Sequence, residues 1–174
     1  VGLPAELGGI PLDTIGATGL GLCAAAEVAQ EFCGVKLAGA RVAVQGFGAV
    51  GIHAARFLAR KGAVLVAAAD SSGTLSDPGG LDLEALAAHK RAGGRLIDSG
   101  SGRKAALDAI IDVPCDIWIP AARPDVIDVR NVERLAARLV LEGANLPVTP
   151  EAEERLHARG VLVVPDFIAN AGGV

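Results

Sequence analysis

The sequence predicts an α/β domain: a doubly wound, mostly parallel sheet with helices on both faces. Three observations carry this. Short runs such as Val42-Ala43-Val44, Val64–Ala69 and Leu139-Val140-Leu141 are continuously apolar rather than alternating, as strands buried on both faces are. These runs alternate with helical segments, which is the order of βαβ units. The chain has 174 residues, enough for one domain with a substantial core. Residues 1–174 are therefore read as one domain, with 1–35 a leading loop and helix packed on it.

The elements follow in order. Residues 1–15 are rich in Gly and Pro and read as a loop. From Ala17 to Cys33 small apolar residues crowd together (Leu20, Leu22, Ala24, Ala25, Val28), predicting a well-buried helix ended by Gly34. Arg41–Gln45 is a strand. Val50–Arg60 is helical, with Val50, Ala54, Phe57 and Leu58 on one face. Val64–Ala69 is a second strand stopped by Asp70, and Ser71–Gly80 is a turn-rich loop. Leu81–Ala92 is a helix with acids in its first turn and Lys90 and Arg91 in its last, matching the macrodipole. Gly93–Gly102 has no clear pattern. Lys104–Ile111 is read as a short helix, Asp116–Ile119 as a third strand, Val132–Arg138 as a helix and Leu139–Leu141 as a fourth strand. Thr149 caps a helix with Pro150 at its first position, closed by Gly160; Val161–Val164 is a fifth strand.

Composition narrows the function classes. Hydrophobic residues make up 51% and charged residues 21%, which excludes a disordered chain. A net charge of -4 argues against a nucleic-acid partner held by counterion release. No run is long and apolar enough for a membrane span, and the first residues lack the charged start of a signal peptide. Three cysteines (Cys23, Cys33, Cys115) have no metal-ligand spacing and read as buried thiols of a reducing, cytoplasmic protein. No metal cluster stands out. The chain has no methionine, so a piece of a longer protein is expected.

The chemistry concentrates at Gly46-Phe47-Gly48-Ala49-Val50-Gly51. G-x-G-x-x-G carries meaning only between a strand and a helix, and here it lies between them. Gly46 permits the tight turn, Gly48 leaves room for a pyrophosphate, and Gly51 lets the helix pack on the strand. The helix start then offers N–H groups and partial positive charge to phosphates. This is a Rossmann-type dinucleotide fingerprint. Asp70 follows Gly51 by 19 positions, where an acid is expected on the adenosine ribose hydroxyls. A carboxylate there repels a 2′-phosphate, and Ser71-Ser72 supplies no cation, so NAD is favoured and NADP is the alternative. A turn without ligand, and a turn-initiating Asp70, are the bland readings. His53, His89 and His157 fall in charge-rich helical segments and read as surface residues.

Beyond the fingerprint, a series of segments runs in order almost end to end. These are Leu7-Gly8-Gly9, Ala17-Thr18-Gly19, Val44–Gly48, Asp70-Ser71-Ser72-Gly73, Cys115-Asp116 with Pro120-Ala121-Ala122, Glu142-Gly143-Ala144-Asn145, Thr149-Pro150-Glu151-Ala152, and Pro165-Asp166 with Asn170–Val174. Together they resemble the cofactor domain of the Glu/Leu/Phe/Val amino-acid dehydrogenases, and its glutamate branch most of all. The resemblance implies reversible oxidative deamination, with hydride passing from an amino acid's α-carbon to the nicotinamide and giving a 2-oxo acid and ammonia. It places Thr18 on the nicotinamide amide, Ala121 and Ala122 along the cofactor, Asn145 on the nicotinamide ribose and Asn170 at the nicotinamide edge. With Gly46, Phe47, Gly48, Ala49, Val50, Gly51, Asp70 and Ser71 these form the expected cofactor site. For Thr18, Asn145 and Asn170 a packing or turn role is the alternative.

The family's catalytic residues belong to an N-terminal substrate domain outside this sequence, so none is assigned here, and the amino acid or 2-oxo acid would be met through that domain. The full-length enzyme is expected to be a homo-oligomer, and this chain alone to bind cofactor without turnover. Ile10–Gly16 departs from the Gly-Arg-bearing stretch of the glutamate members and lacks the Gly-Asp-Pro pattern of the leucine and phenylalanine members. The contending reading is a non-enzymatic dinucleotide-binding regulatory module.

Overall fold

The computed structural model describes residues 5–173. After a 3-10 turn at Ala5–Leu7 come α1 (Leu12–Ile15), α2 (Ala17–Cys33), β1 (Arg41–Gln45), α3 (Ala49–Arg60) and β2 (Val64–Asp70). Then follow β3 (Gly73–Ser76), α4 (Leu83–Arg91), β4 (Arg103–Ala105), β5 (Ile117–Pro120), β6 (Leu139–Leu141), α5 (Pro150–Ala158), β7 (Leu162–Val164) and α6 (Asp166–Ala169). The strands make one sheet in the order β4-β3-β2-β1-β5-β6-β7. β1 pairs in parallel with β2 on one side and β5 on the other, and β5-β6-β7 continue in parallel. The chain direction across the sheet therefore reverses at β1/β5, where crevices open at the carboxyl ends of open α/β sheets.

The core shows why the strand runs are continuously apolar. Val42 and Val44 of β1 join one buried cluster with Leu22 of α2 and Ala54 and Leu58 of α3. Ala43, between them, joins a second cluster with Trp118, Val140, Ala152 and Leu156. Period-two alternation thus feeds two cores, one on each face.

Several expectations are corrected. Among the described residues the sheet has seven strands, not five. β3 and β4 are antiparallel additions at one edge, within stretches read as a loop and as a helix start. β3 turns back directly on β2 through Ser71-Ser72, with Asp70 opposite Gly73. Only a 3-10 turn, Leu107–Asp112, stands where Lys104–Ile111 was read as helical. Val132–Arg138 forms a 3-10 turn at Val132–Arg134, and Leu135 leaves it in extended conformation to feed β6. The leading segment read as a loop contains α1, while residues 1–4 lie outside the described residues. Helix α2 has the predicted bounds but is buried on one face only: Leu22 and Ala26 are buried, whereas Leu20 and Val28 are exposed. Asp82 is the cap of α4 rather than part of it, accepting the Ala85 N–H at 3.0 Å. Thr149 caps α5 as expected, at 3.4 Å from the Ala152 N–H.

Candidate dinucleotide site

The carboxyl ends of β1, β2, β5 and β6 bring the predicted residues to one edge of the sheet. β1 ends at Gln45, and the next two N–H groups, Gly46 and Phe47, both donate to the Ala69 carbonyl at 2.9 and 2.8 Å. This pins the turn against the end of β2. Gly46 has φ +100°, and a Cβ there would lie 2.6 Å from the Ala121 carbonyl group and 2.7 Å from the Ala122 nitrogen. Only glycine lets the turn pass under the β5 loop. A Cβ on Gly51 would fall on the Gly46 carbonyl oxygen, so this glycine permits the close helix–strand approach. Phe47 is buried and anchors the turn; Val50 is half-buried.

Gly48 differs. A Cβ there would meet nothing within 4 Å, and its backbone is extended at φ -101° and ψ -158°. The protein's own packing does not require glycine at this position. It is also the cap of α3, and no side chain accepts a hydrogen bond from the start of that helix, whose first turn carries no acid. The start of α3 therefore lacks a side-chain cap from Gly48, and Ala49 is exposed there, with the helix dipole behind it. An open cradle above an uncapped helix fits a phosphate-bearing group.

Asp70 stands at the end of β2, beside this turn. Its carboxylate already accepts four hydrogen bonds. One oxygen takes the Ser72 N–H at 2.8 Å and the Ser72 hydroxyl; the other takes Lys90 Nζ at 2.5 Å and the Leu96 N–H at 3.1 Å. Four donors use the full acceptor capacity of a carboxylate. Burial alone would raise this carboxyl, but Lys90, Ser72 and Leu96 outweigh it and hold it down at about 2. Ser71, between them, is exposed. The sequence places Lys90 in the last turn of a helix and not at this site. It lies 20 positions from Asp70, and only the docking of α4 brings it there.

On the other side of β1, the Ala121 N–H donates to the Gln45 carbonyl at 2.6 Å, leaving Ala121 half-buried and Ala122 exposed. Gly143 and Ala144 donate to the Pro120 carbonyl, which ties the β6 loop to the β5 loop. Asn145 is exposed, and its side-chain oxygen accepts from Asn170 Nδ2 at 2.9 Å. Thr18, at the start of α2, shares a small cleft with Gly19, Ala49 and Val50. The Gly46–Gly51 turn, Asp70, Ala121, Ala122 and Asn145 thus follow the carboxyl ends of parallel strands, with Asn170 hydrogen-bonded to Asn145 and Thr18 beside Ala49 and Val50.

Two buried groups belong to this edge and were not singled out as site residues. Gln45 is buried, and its Oε1 has no hydrogen-bond partner among the described residues. Glu142, 5% exposed, accepts the Asp166 N–H at 2.9 Å. Burial pushes its carboxyl up to about 7; the nearby Asp166 and Glu153 charges add to this, against the lowering effect of that hydrogen bond. Among the described residues no group of acidic, Cys or His side chains could hold a metal ion. No described helix is long and apolar enough to cross a membrane.

Comparison with known proteins decides the family. The model of the Glutamate/Leucine/Phenylalanine/Valine dehydrogenases matches residues 8–174. The chain belongs to this family. Among its relatives, the glutamate dehydrogenase of Aeropyrum pernix is 44% identical over 173 residues, which is 99% of this chain and 41% of that protein. The NADP-specific glutamate dehydrogenase of Saccharolobus shibatae is 39% identical over 174 residues, 99% of this chain and 41% of that protein. The hetero-hexameric glutamate dehydrogenase of Thermus thermophilus superposes with a TM-score of 0.87 at 35% identity, covering 99% of this chain and 40% of that one. The chain therefore spans about two-fifths of the length of the relatives it matches.

Proposed function

We propose that this chain is the cofactor-binding part of an NAD(P)-dependent amino-acid dehydrogenase acting on L-glutamate. The observation that carries the reading is the uncapped start of α3 beneath an open Gly48. The Gly48, Ala49 and Val50 backbone would hold the pyrophosphate, and Phe47 and Gly51 fix the turn that presents it. Thr18, Ala121, Ala122, Asn145 and Asn170 would line the nicotinamide half. When bound, the dinucleotide supplies a hydride acceptor; the residues here bind, orient and shield it. The acid–base groups and the amino-acid pocket would come from further chain, as they do in the resemblance drawn above.

At the adenosine end we propose that Asp70 and Ser71 face the ribose. The ribose hydroxyl would take the place of a displaceable donor, the Ser72 hydroxyl or Lys90. Lys90 offsets the repulsion that a bare Asp70 would exert on a 2′-phosphate, so NADP is admitted beside NAD. The NADP-specific relative supports this latitude. The three free thiols, two of them buried, suit a reducing cytoplasm. Assembly of the full-length enzyme into an oligomer is supported by the hetero-hexameric relative and by the apolar groove that exposed Val28, Phe32 and Ile168 line.

The test is turnover by the full-length protein with a panel of L-amino acids, reading cofactor reduction and ammonia together. Stoichiometric release of both from L-glutamate is expected. Dinucleotide binding without turnover of any amino acid would favour the regulatory-module reading instead.

A further inference from the structure

Among the described residues two non-glycine residues adopt a left-handed backbone: Asp125 at φ +51° and Leu146 at φ +47°. For a branched side chain this conformation carries a steric penalty, and such residues concentrate where a loop must hold one shape. Leu146 is 69% exposed, so packing does not compensate it. Its hydrogen bonds do. The Leu146 carbonyl accepts the Asp125 N–H at 3.0 Å, and the Pro147 carbonyl accepts Val126 and Ile127 at 2.8 and 3.0 Å. The two strained residues thus lock the β5 loop to the β6 loop. From below, the Leu146 N–H donates to Asp166 Oδ2 at 2.7 Å.

Asp166 is the hub of this arrangement. Its other oxygen accepts the Phe167 N–H at 2.6 Å, and its own N–H donates to Glu142 at the end of β6. It also carries the short helix α6, whose next residue, Asn170, reaches back to Asn145 Oδ1 and to the Ala144 carbonyl. The Asp166 carboxylate thus ties the loop that follows Asn145 to the first turn of α6, and the Asp166 carbonyl accepts the Asn170 N–H at 2.8 Å.

We infer that Asp166 is a positioning residue that holds Leu146 in its left-handed conformation and so sets Asn145 and Asn170 toward the nicotinamide half of the cofactor. This rests on the dinucleotide reading given above. It makes Asp166 matter for one half of the cofactor and not the other, because the Gly46–Gly51 turn and Asp70 share no hydrogen bond with it among the described residues.

The experiment measures binding of NAD and of ADP-ribose, which lacks nicotinamide, to this chain. Asp166→Ala is expected to weaken NAD about tenfold, the size of one charge-assisted hydrogen bond, and to leave ADP-ribose within about twofold. Adding Leu146→Gly, which adopts the left-handed backbone unaided, is expected to restore most of the lost NAD affinity. Asp166→Asn, which keeps one acceptor oxygen, covers the case in which the alanine variant fails to fold and is expected to lose less. Equal losses of NAD and ADP-ribose, unchanged NAD affinity, or no rescue by Leu146→Gly would each overturn the proposal. Failure of the unmodified chain to bind either ligand would instead defeat the dinucleotide reading, and this inference with it.

Discussion

At the scale of single residues, the two central glycines of the turn have different reasons to be glycine. Gly46 is required by the fold, since its φ and the Ala121-Ala122 backbone leave no room for a side chain. Gly48 is not, since open space surrounds it. The contrast separates folding from binding. Gly46→Ala should destabilise the chain by roughly 1–3 kcal/mol through backbone strain and collision. Gly48→Ala should leave the melting temperature nearly unchanged yet weaken NAD by about tenfold or more, because its methyl group would enter the space we propose for the pyrophosphate. Thermal melts and NAD titrations of both variants check this. A Gly48→Ala variant that binds like the parent would remove the pyrophosphate from that cradle.

At the scale of elements, the ends of β6 and β7 are joined by the buried Glu142 accepting from the Asp166 backbone. Its carboxyl titrates at about 7 in the folded chain against an ordinary 4.5. Below 4.5 both the folded and unfolded chains hold the proton. Between 4.5 and 7 only the folded chain holds it, so stability falls as pH rises through this window and then levels off. Glu142→Gln keeps an acceptor without a charge. It should flatten this part of the stability–pH curve and raise stability at pH above 7 by an amount on the order of 1 kcal/mol. Chemical denaturation across the window reads it out, and an unchanged slope would contradict the buried-acid account.

The same scale shows what could be read from the sequence. The five parallel strands were legible because burial on both faces demands unbroken apolar runs. β3 and β4 were not. β3 is a four-residue strand between β2 and the edge strand β4, with Thr74 and Ser76 in it, and β4 is Arg103-Lys104-Ala105, largely exposed. Strands this short and polar carry little apolar signal, and a tight turn from β2 defines β3. The glycine turn was legible because its chemistry is contiguous. Lys90 on Asp70 and Glu142 on Asp166 were not, since 20 and 24 positions separate the partners and no local periodicity links them. Val132–Arg138 had helix-forming residues but must extend at Leu135 to enter β6, so tertiary demand overrode propensity.

At the scale of the whole molecule, the sheet order places the glycine turn, an ion-paired acid and an asparagine pair near one reversal of chain direction. Each is held by the fold before any ligand arrives: the turn by Ala69, Asp70 by its four donors, and Asn145 and Asn170 by Asp166. A site built in advance loses little ordering entropy on binding. Dinucleotide binding should therefore be a property of this chain by itself. Calorimetric titration of the chain with NAD and with NADP tests that claim most directly. Saturable binding of one dinucleotide per chain is predicted, with NADP accepted as well as NAD. The absence of binding by either dinucleotide at millimolar concentration would contradict it.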